Sequence, residues 1–102
     1  MLKFPQPVRH HIGFALYQAQ MGGKHIDAKP LRGLSPGVME VVSDHHGDTF
    51  RAVYTVRLAN AVYVLHAFQK KSKRGIATPQ AEVELIKMRL RRAIEIDKQE
   101  ER

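Results

Sequence analysis

Two consecutive runs, Thr49 to Leu58 and Ala61 to Gln69, carry the period-two pattern of β-strands, with only Ala59-Asn60 between them. A connection that short joins antiparallel neighbours, because parallel strands need a crossover of a dozen residues or more. Asn60 tolerates the positive φ that a two-residue turn requires. A third run, Val38 to Ser43, is short, apolar and β-branched, and Asp44-His45-His46-Gly47-Asp48 follows it as a hairpin loop. The pattern predicts a three-stranded antiparallel meander.

On either side the period changes to helical. Val8, Ile12, Ala15, Leu16 and Ala19 trace one stripe between Phe4 and Met21, with Pro5 and Pro7 at its start and Gly22-Gly23 closing it. From Thr78, which suits the helix cap, Val83, Ile86, Leu90, Ala93 and Asp97 trace a second stripe. Glu82 and Glu84 complement the positive end of that helix. Lys24 to Gly37, with Pro30, Gly33 and Pro36, reads as a connector. The expectation is one α+β domain over residues 1–102: an N-terminal helical segment, the meander and a C-terminal helix. At 43% hydrophobic and 26% charged residues, the chain has enough apolar side chains for a single small core.

The turn at Ala59-Asn60 sets a register. It places Tyr54 opposite Leu65, Val56 opposite Tyr63 and Ala52 opposite Ala67, which makes one face almost wholly apolar. The other face then carries Arg51, Val53, Thr55 and Arg57 beside Val62, Val64, His66, Phe68 and Lys70. Arg51 lies opposite Phe68, with His66 and Lys70 on its diagonals. Lys70, Lys71, Lys73 and Arg74 follow within five residues. Taken singly, each feature has a plain reading: solvated lysines at a strand end, a surface histidine, aromatic sheet packing. Their convergence under a register chosen only to build a core favours a site.

Charge says what such a site meets. Seventeen Lys and Arg against ten Asp and Glu give a net charge of +7, which points to polyanions, nucleic acid foremost. The absence of cysteine excludes disulfides, zinc-thiolate sites, iron–sulfur clusters and thiol catalysis. No apolar run approaches the roughly 20 residues of a membrane span, and the first residues read as neither signal nor transit peptide. A cytoplasmic protein is expected. No metal site is assigned: His10 and His11 fall on adjacent helix faces, and His45-His46 with Asp44 and Asp48 match no specific ligand spacing.

The strings Phe50-Arg51-Ala52-Val53-Tyr54, Val62-Tyr63-Val64-Leu65-His66-Ala67-Phe68-Gln69-Lys70-Lys71-Ser72 and Thr78-Pro79 resemble the RelE/ParE toxin superfamily, most closely its phage-derived, HigB-like branch. Lys29-Pro30-Leu31-Arg32-Gly33-Leu34 and Glu40 resemble its helix-to-sheet connector. The resemblance implies a small RelE-like fold and the toxin of a type II toxin–antitoxin module. The activity it implies is ribosome-dependent mRNA cleavage by attack of a 2′-hydroxyl, with no cofactor and no metal. Arg51, Lys70 and Lys71 match positions that the family uses; His66 joins them as the proton carrier, because imidazole is the side-chain type that titrates near neutral pH. Arg57, Phe68, Lys73 and Arg74 are the expected RNA contacts. The implied partners are mRNA, the ribosome and a helix-turn-helix antitoxin, with no membrane.

Three departures accompany the resemblance. Relatives usually open with a strand before the first helix, so an exposed sheet edge is expected here. The frequent Glu-x-Arg of the first meander strand reads Glu40-Val41-Val42, and no tyrosine follows Tyr63. The alternatives are a ParE-like toxin that inhibits a topoisomerase and a non-catalytic, phage-derived nucleic-acid-binding protein.

Overall fold

The computed structural model describes residues 3–31, 33–34, 37–56, 58–70 and 79–99. Its elements are α1 (Gln6–Gln20), β1 (Ala28–Pro30), β2 (Val38–His45), β3 (Asp48–Thr55), β4 (Val64–Lys70) and α2 (Gln80–Gln99). The strands form one antiparallel sheet in the order β1-β2-β3-β4. The expected α+β architecture is thus present, with one strand added to the meander.

That strand lies in the segment read as a connector. Ala28 to Pro30 pairs with Val41 to Met39 and covers the edge of β2 that the sequence left open. It is three residues long and ends in proline, which has no N–H to offer a further strand; short, proline-bearing edges resist unwanted pairing.

Helix α1 forms as its stripe predicts. Val8, Ile12, Ala15 and Ala19 are buried. The first helical bond runs from Arg9 N–H to the Pro5 carbonyl at 3.0 Å. At the other end Gly22 takes φ +86°, a conformation that disfavours a Cβ, and Gly23 N–H returns to the Gln18 carbonyl at 2.8 Å. The β2–β3 hairpin is tighter than expected. Strand pairing continues to His45 and Asp48, so only His46 (φ +52°) and Gly47 (φ +85°) turn the chain. Two successive positive φ values match the twist of the flanking strands.

The β3–β4 register holds from Thr49↔Lys70 through Arg51↔Phe68 and Ala52↔Ala67 to Val53↔His66, then shifts, so that Tyr54 pairs with Val64 in place of Leu65. An extra residue in one strand reverses the faces beyond it. Tyr54, Ala52 and Ala67 stay on the face under α1, with Met39, Val41, Phe50 and the α1 stripe. Leu65 and Tyr63 move to the opposite core, with Val38, Val53, Ile86 and Ala93, under α2. The sheet is therefore covered on both faces, and the face expected to be polar is partly core. Among the described residues no helix is long and apolar enough to cross a membrane.

Asp97 is the residue that ties α2 to the turn. It sits on the helix stripe yet is buried, because its carboxylate accepts the N–H groups of Ala59 and Asn60, both at 2.9 Å, and the Tyr63 hydroxyl at 3.1 Å. The Asn60 side-chain amide donates to the Asp97 carbonyl at 2.8 Å. Burial alone pushes the carboxyl upward, but the bonds from Asn60, Tyr63 and Ala59 outweigh it and hold the group below its ordinary range. A carboxyl with a lowered folded-state pKa contributes stability that is present above its unfolded pKa. That stability is lost as pH falls through the folded value. The urea midpoint should therefore fall on acidification below about pH 4, and Asp97→Asn should flatten that dependence. Equal acid sensitivity in both proteins would assign the effect to other groups.

Candidate functional site

On the face under α2, β3 places Arg51 between Val42 and Phe68, and Val53 between Glu40 and His66. Side chains two apart on one strand share a face, so Glu40, Arg51, His66 and Phe68 form one patch. Within it Arg51 Nη1 donates to Glu40 Oε1 at 3.5 Å, the long end of hydrogen-bond range. Both side chains are almost enclosed, at 10% and 5% exposure. The Arg51 Nε–H is buried and has no partner among the described residues. The patch is therefore an ion pair sealed in the sheet, whereas the sequence placed Arg51 on an open polar surface. The β2 neighbour Glu40, which faces Arg51 across the sheet, accounts for the difference.

His66 is gripped from the helix. Its Nε2 bonds the Glu82 carboxylate, and its Nδ1 meets Arg89 Nη1 at 3.2 Å. Arg89 is itself held by the Leu65 carbonyl, at 2.8 Å. An arginine only donates, so Nδ1 is the acceptor and the ring proton lies on Nε2, shared with Glu82. Glu82 in the first turn of α2 and Arg89 seven residues on lie on the side that buries Ile86 and Ala93, so the packing of α2 aims both at β4. Phe68 stacks on the imidazole, with ring centroids 4.9 Å apart and planes 21° apart. One face of Phe68 is thus taken by His66. The His66 side chain keeps 15% exposure and Glu82 32%, so a ligand approaching from solvent reaches this dyad more readily than it reaches Arg51.

A carboxylate bonded to one ring nitrogen orients an imidazole and stabilises its protonated form. A cation that gives up its longer bond to the other nitrogen for an anion exposes a basic lone pair. Such an arrangement can take and return a proton beside a bound anion. Glu82 and Arg89 were not assigned a role there from sequence. Their seven-residue spacing on the α2 stripe was the available signal, and it lacks the helix-to-sheet docking that gives it meaning.

Of the other expected residues, Lys70 ends β4 opposite Thr49. Arg57, Lys71, Lys73, Arg74 and the helix cap Thr78 lie outside the described residues. A cavity of about 330 Å³ opens at the far end of α1, lined by Ala19, Gly22, Gly23, Lys24, Met39, Tyr54 and Val56. It contains none of the site residues, and the buried Tyr54 hydroxyl beside it has its pKa raised by desolvation.

The sequence matches the phage-derived protein Gp49-like family over residues 1–91, a span containing α1, all four strands and the part of α2 that carries Glu82 and Arg89. The chain belongs to this family. It is a RelE/ParE-like toxin family, which the sequence resemblance had reached at superfamily level. No curated protein and no solved structure matches the chain. The Gp49-like match therefore takes in Glu40, Arg51, His66, Lys70, Glu82 and Arg89 together.

Proposed function

We propose that this Gp49-like chain is a HigB-like toxin of a type II toxin–antitoxin module. In this reading it cleaves mRNA on the ribosome in the cytoplasm, by a metal-independent reaction, until a helix-turn-helix antitoxin neutralises it. The observation that carries the reading is the grip of Glu82 and Arg89 on His66, beside Arg51 and at the root of the Lys70-Lys71 run.

The chemistry follows from those groups. RNA phosphate draws Arg89 from His66, and the freed Nδ1 takes the proton of a 2′-hydroxyl. The 2′-oxygen attacks the adjacent phosphorus, the bond to the 5′-oxygen breaks, and a 2′,3′-cyclic phosphate is left. Glu82 stabilises the imidazolium while it exists. Arg89 and Lys71 balance the charge on the pentacovalent phosphorus, Arg51 adds to it from within its pair with Glu40, and Lys70 supplies the proton to the leaving oxygen. Lys73, Arg74 and Arg57 add sequence-independent attraction to the backbone, and Phe68 contributes an aromatic ring beside the dyad to a base.

One observation favours a second reading. The charge of Arg51 is already matched by Glu40 inside the sheet, as suits a non-catalytic or ParE-like toxin that acts by binding. Induction in a host, with mapping of mRNA 5′ ends beside a gyrase supercoiling assay, separates the two. New 5′ ends confined to translated codons are expected. Growth arrest with intact mRNA and inhibited supercoiling would replace the nuclease with the topoisomerase inhibitor.

A further inference from the structure

On the opposite face of the sheet, α1 and the loop that follows it bring two imidazoles and a carboxylate together. His11 projects from α1, and His25 and Asp27 come from the loop that leads into β1. His11 Nε2 lies 2.8 Å from Asp27 Oδ2, and His25 Nδ1 lies 3.9 Å from the same oxygen. One ligand atom from each of the three falls within 4.8 Å of the others. We propose that His11, His25 and Asp27 form a binding site for a divalent transition-metal ion of the zinc class.

Four features support this. Ligand atoms around a tetrahedral zinc ion, bonded at about 2.0–2.1 Å, stand about 3.3 Å apart. The observed 2.8 and 3.9 Å bracket that spacing, and the remaining pair, within 4.8 Å, must close by at most about 1.5 Å. His25 Nδ1 accepts the Asp27 N–H at 3.0 Å, so it is the unprotonated nitrogen of that ring, and an ion would take its lone pair in place of this N–H. His11 Nδ1 lies 2.7 Å from the Ser43 hydroxyl on β2. A ring that donates there presents an unprotonated Nε2 to an ion, the outer partner that metal-bound histidines usually have. His25 is enclosed, packed edge-on against His11 and Phe14, so its ring is aimed before any ion arrives. Two nitrogens and one oxygen select zinc-class ions over magnesium or calcium, which take oxygen ligands. Asp27 is half exposed, leaving the fourth position to water.

The sequence discourages this set, because His10 and His11 diverge and the other two ligands lie in a loop with no metal spacing. Only the fold-back of residues 21–27 over α1 makes it. The bound ion ties α1, the loop and, through Ser43, strand β2 together, on the face remote from His66. It thus acts on stability and stands apart from the proposed RNA chemistry.

The full chain, stripped with chelator, tests the proposal. Zinc at a hundredfold excess over its dissociation constant should favour the folded state about a hundredfold and raise the melting temperature by roughly 10 °C. Cobalt(II) should develop the visible absorption of a tetrahedral complex at one ion per chain, and magnesium and calcium should do neither. His11→Gln and Asp27→Asn, each folded by circular dichroism, should weaken cobalt binding at least tenfold. A His45→Ala/His46→Ala variant, which removes the other close histidine pair, should bind as the parent does. Absence of any zinc-induced shift, or a shift that survives His11→Gln and disappears with the His45/His46 variant, would overturn the site and leave His11–Asp27 as a hydrogen-bonded pair.

Discussion

Arg51→Ala should destabilise the protein by about 3–5 kcal/mol, the usual loss when one partner of a buried ion pair is removed. The physical reason is Glu40. Its side chain is only 5% exposed, and among the described residues its ion-pair partner is Arg51. With the guanidinium gone, the carboxylate must stay charged in a poor dielectric or take up a proton, and either course weakens folding. Removing both charges together should behave differently. Glu40→Gln/Arg51→Met keeps most of the volume and leaves no lone charge, so its loss should be much smaller than that of Arg51→Ala alone. Urea unfolding followed by circular dichroism, in a full double-mutant cycle, gives the coupling directly. An Arg51→Ala protein within about 1 kcal/mol of the parent would show that the pair is open to water. The cycle also governs how toxicity is read. Arg51→Ala can abolish growth arrest simply by unfolding, whereas the double variant should stay folded and has no guanidinium. Growth arrest should be lost in that variant too, because the nuclease reading gives Arg51 part of the charge on phosphorus.

The buried pair marks where sequence reasoning reaches its limit. The meander, both helices and the pairing of Arg51 with Phe68 were legible, because period, turn length and proline placement are local signals. The bulge at Leu65 was not. A bulge re-aims a side chain, and the site that Leu65 takes, beside Ile86 and Val53, exists only after α2 has docked. Strand β1 was hidden for a related reason: three residues ending in proline carry no period, and only the waiting edge of β2 makes them a strand. The same bulge explains why half of the expected apolar face proved correct. Ala52, Ala67 and Tyr54 lie before the shift or on the unbulged strand, whereas Leu65 and Tyr63 lie beyond it. His66 and Arg51 were correctly placed on one face, but their partners Glu40, Glu82 and Arg89 depend on cross-strand and helix-to-sheet contacts that spacing along the chain does not encode.

The second large effect is expected at His66. On the nuclease reading proposed above, His66→Gln should lower single-turnover mRNA cleavage by about 10²–10⁴, the usual range for a positioned proton carrier. Glutamine is the informative replacement, because its amide can still donate to Glu82 and accept from Arg89. The local network and the fold then survive, and the ability to take and return a proton is lost. Glu82→Gln should reduce the same rate by less, since the imidazole remains but its protonated form loses a carboxylate. Arg89→Met should separate from both. It frees Nδ1 of its competitor while removing a cation from the phosphate, so RNA or ribosome binding should weaken and lose part of its salt dependence. Neither Glu82→Gln nor His66→Gln should change that salt dependence greatly. If His66→Gln cleaves at the parental rate while folded, proton transfer belongs to another group. If all three variants lose activity only in proportion to lost stability, the Glu82–His66–Arg89 chain is a clasp between α2 and β4, and the nuclease centre must be sought around Lys70 and Lys71.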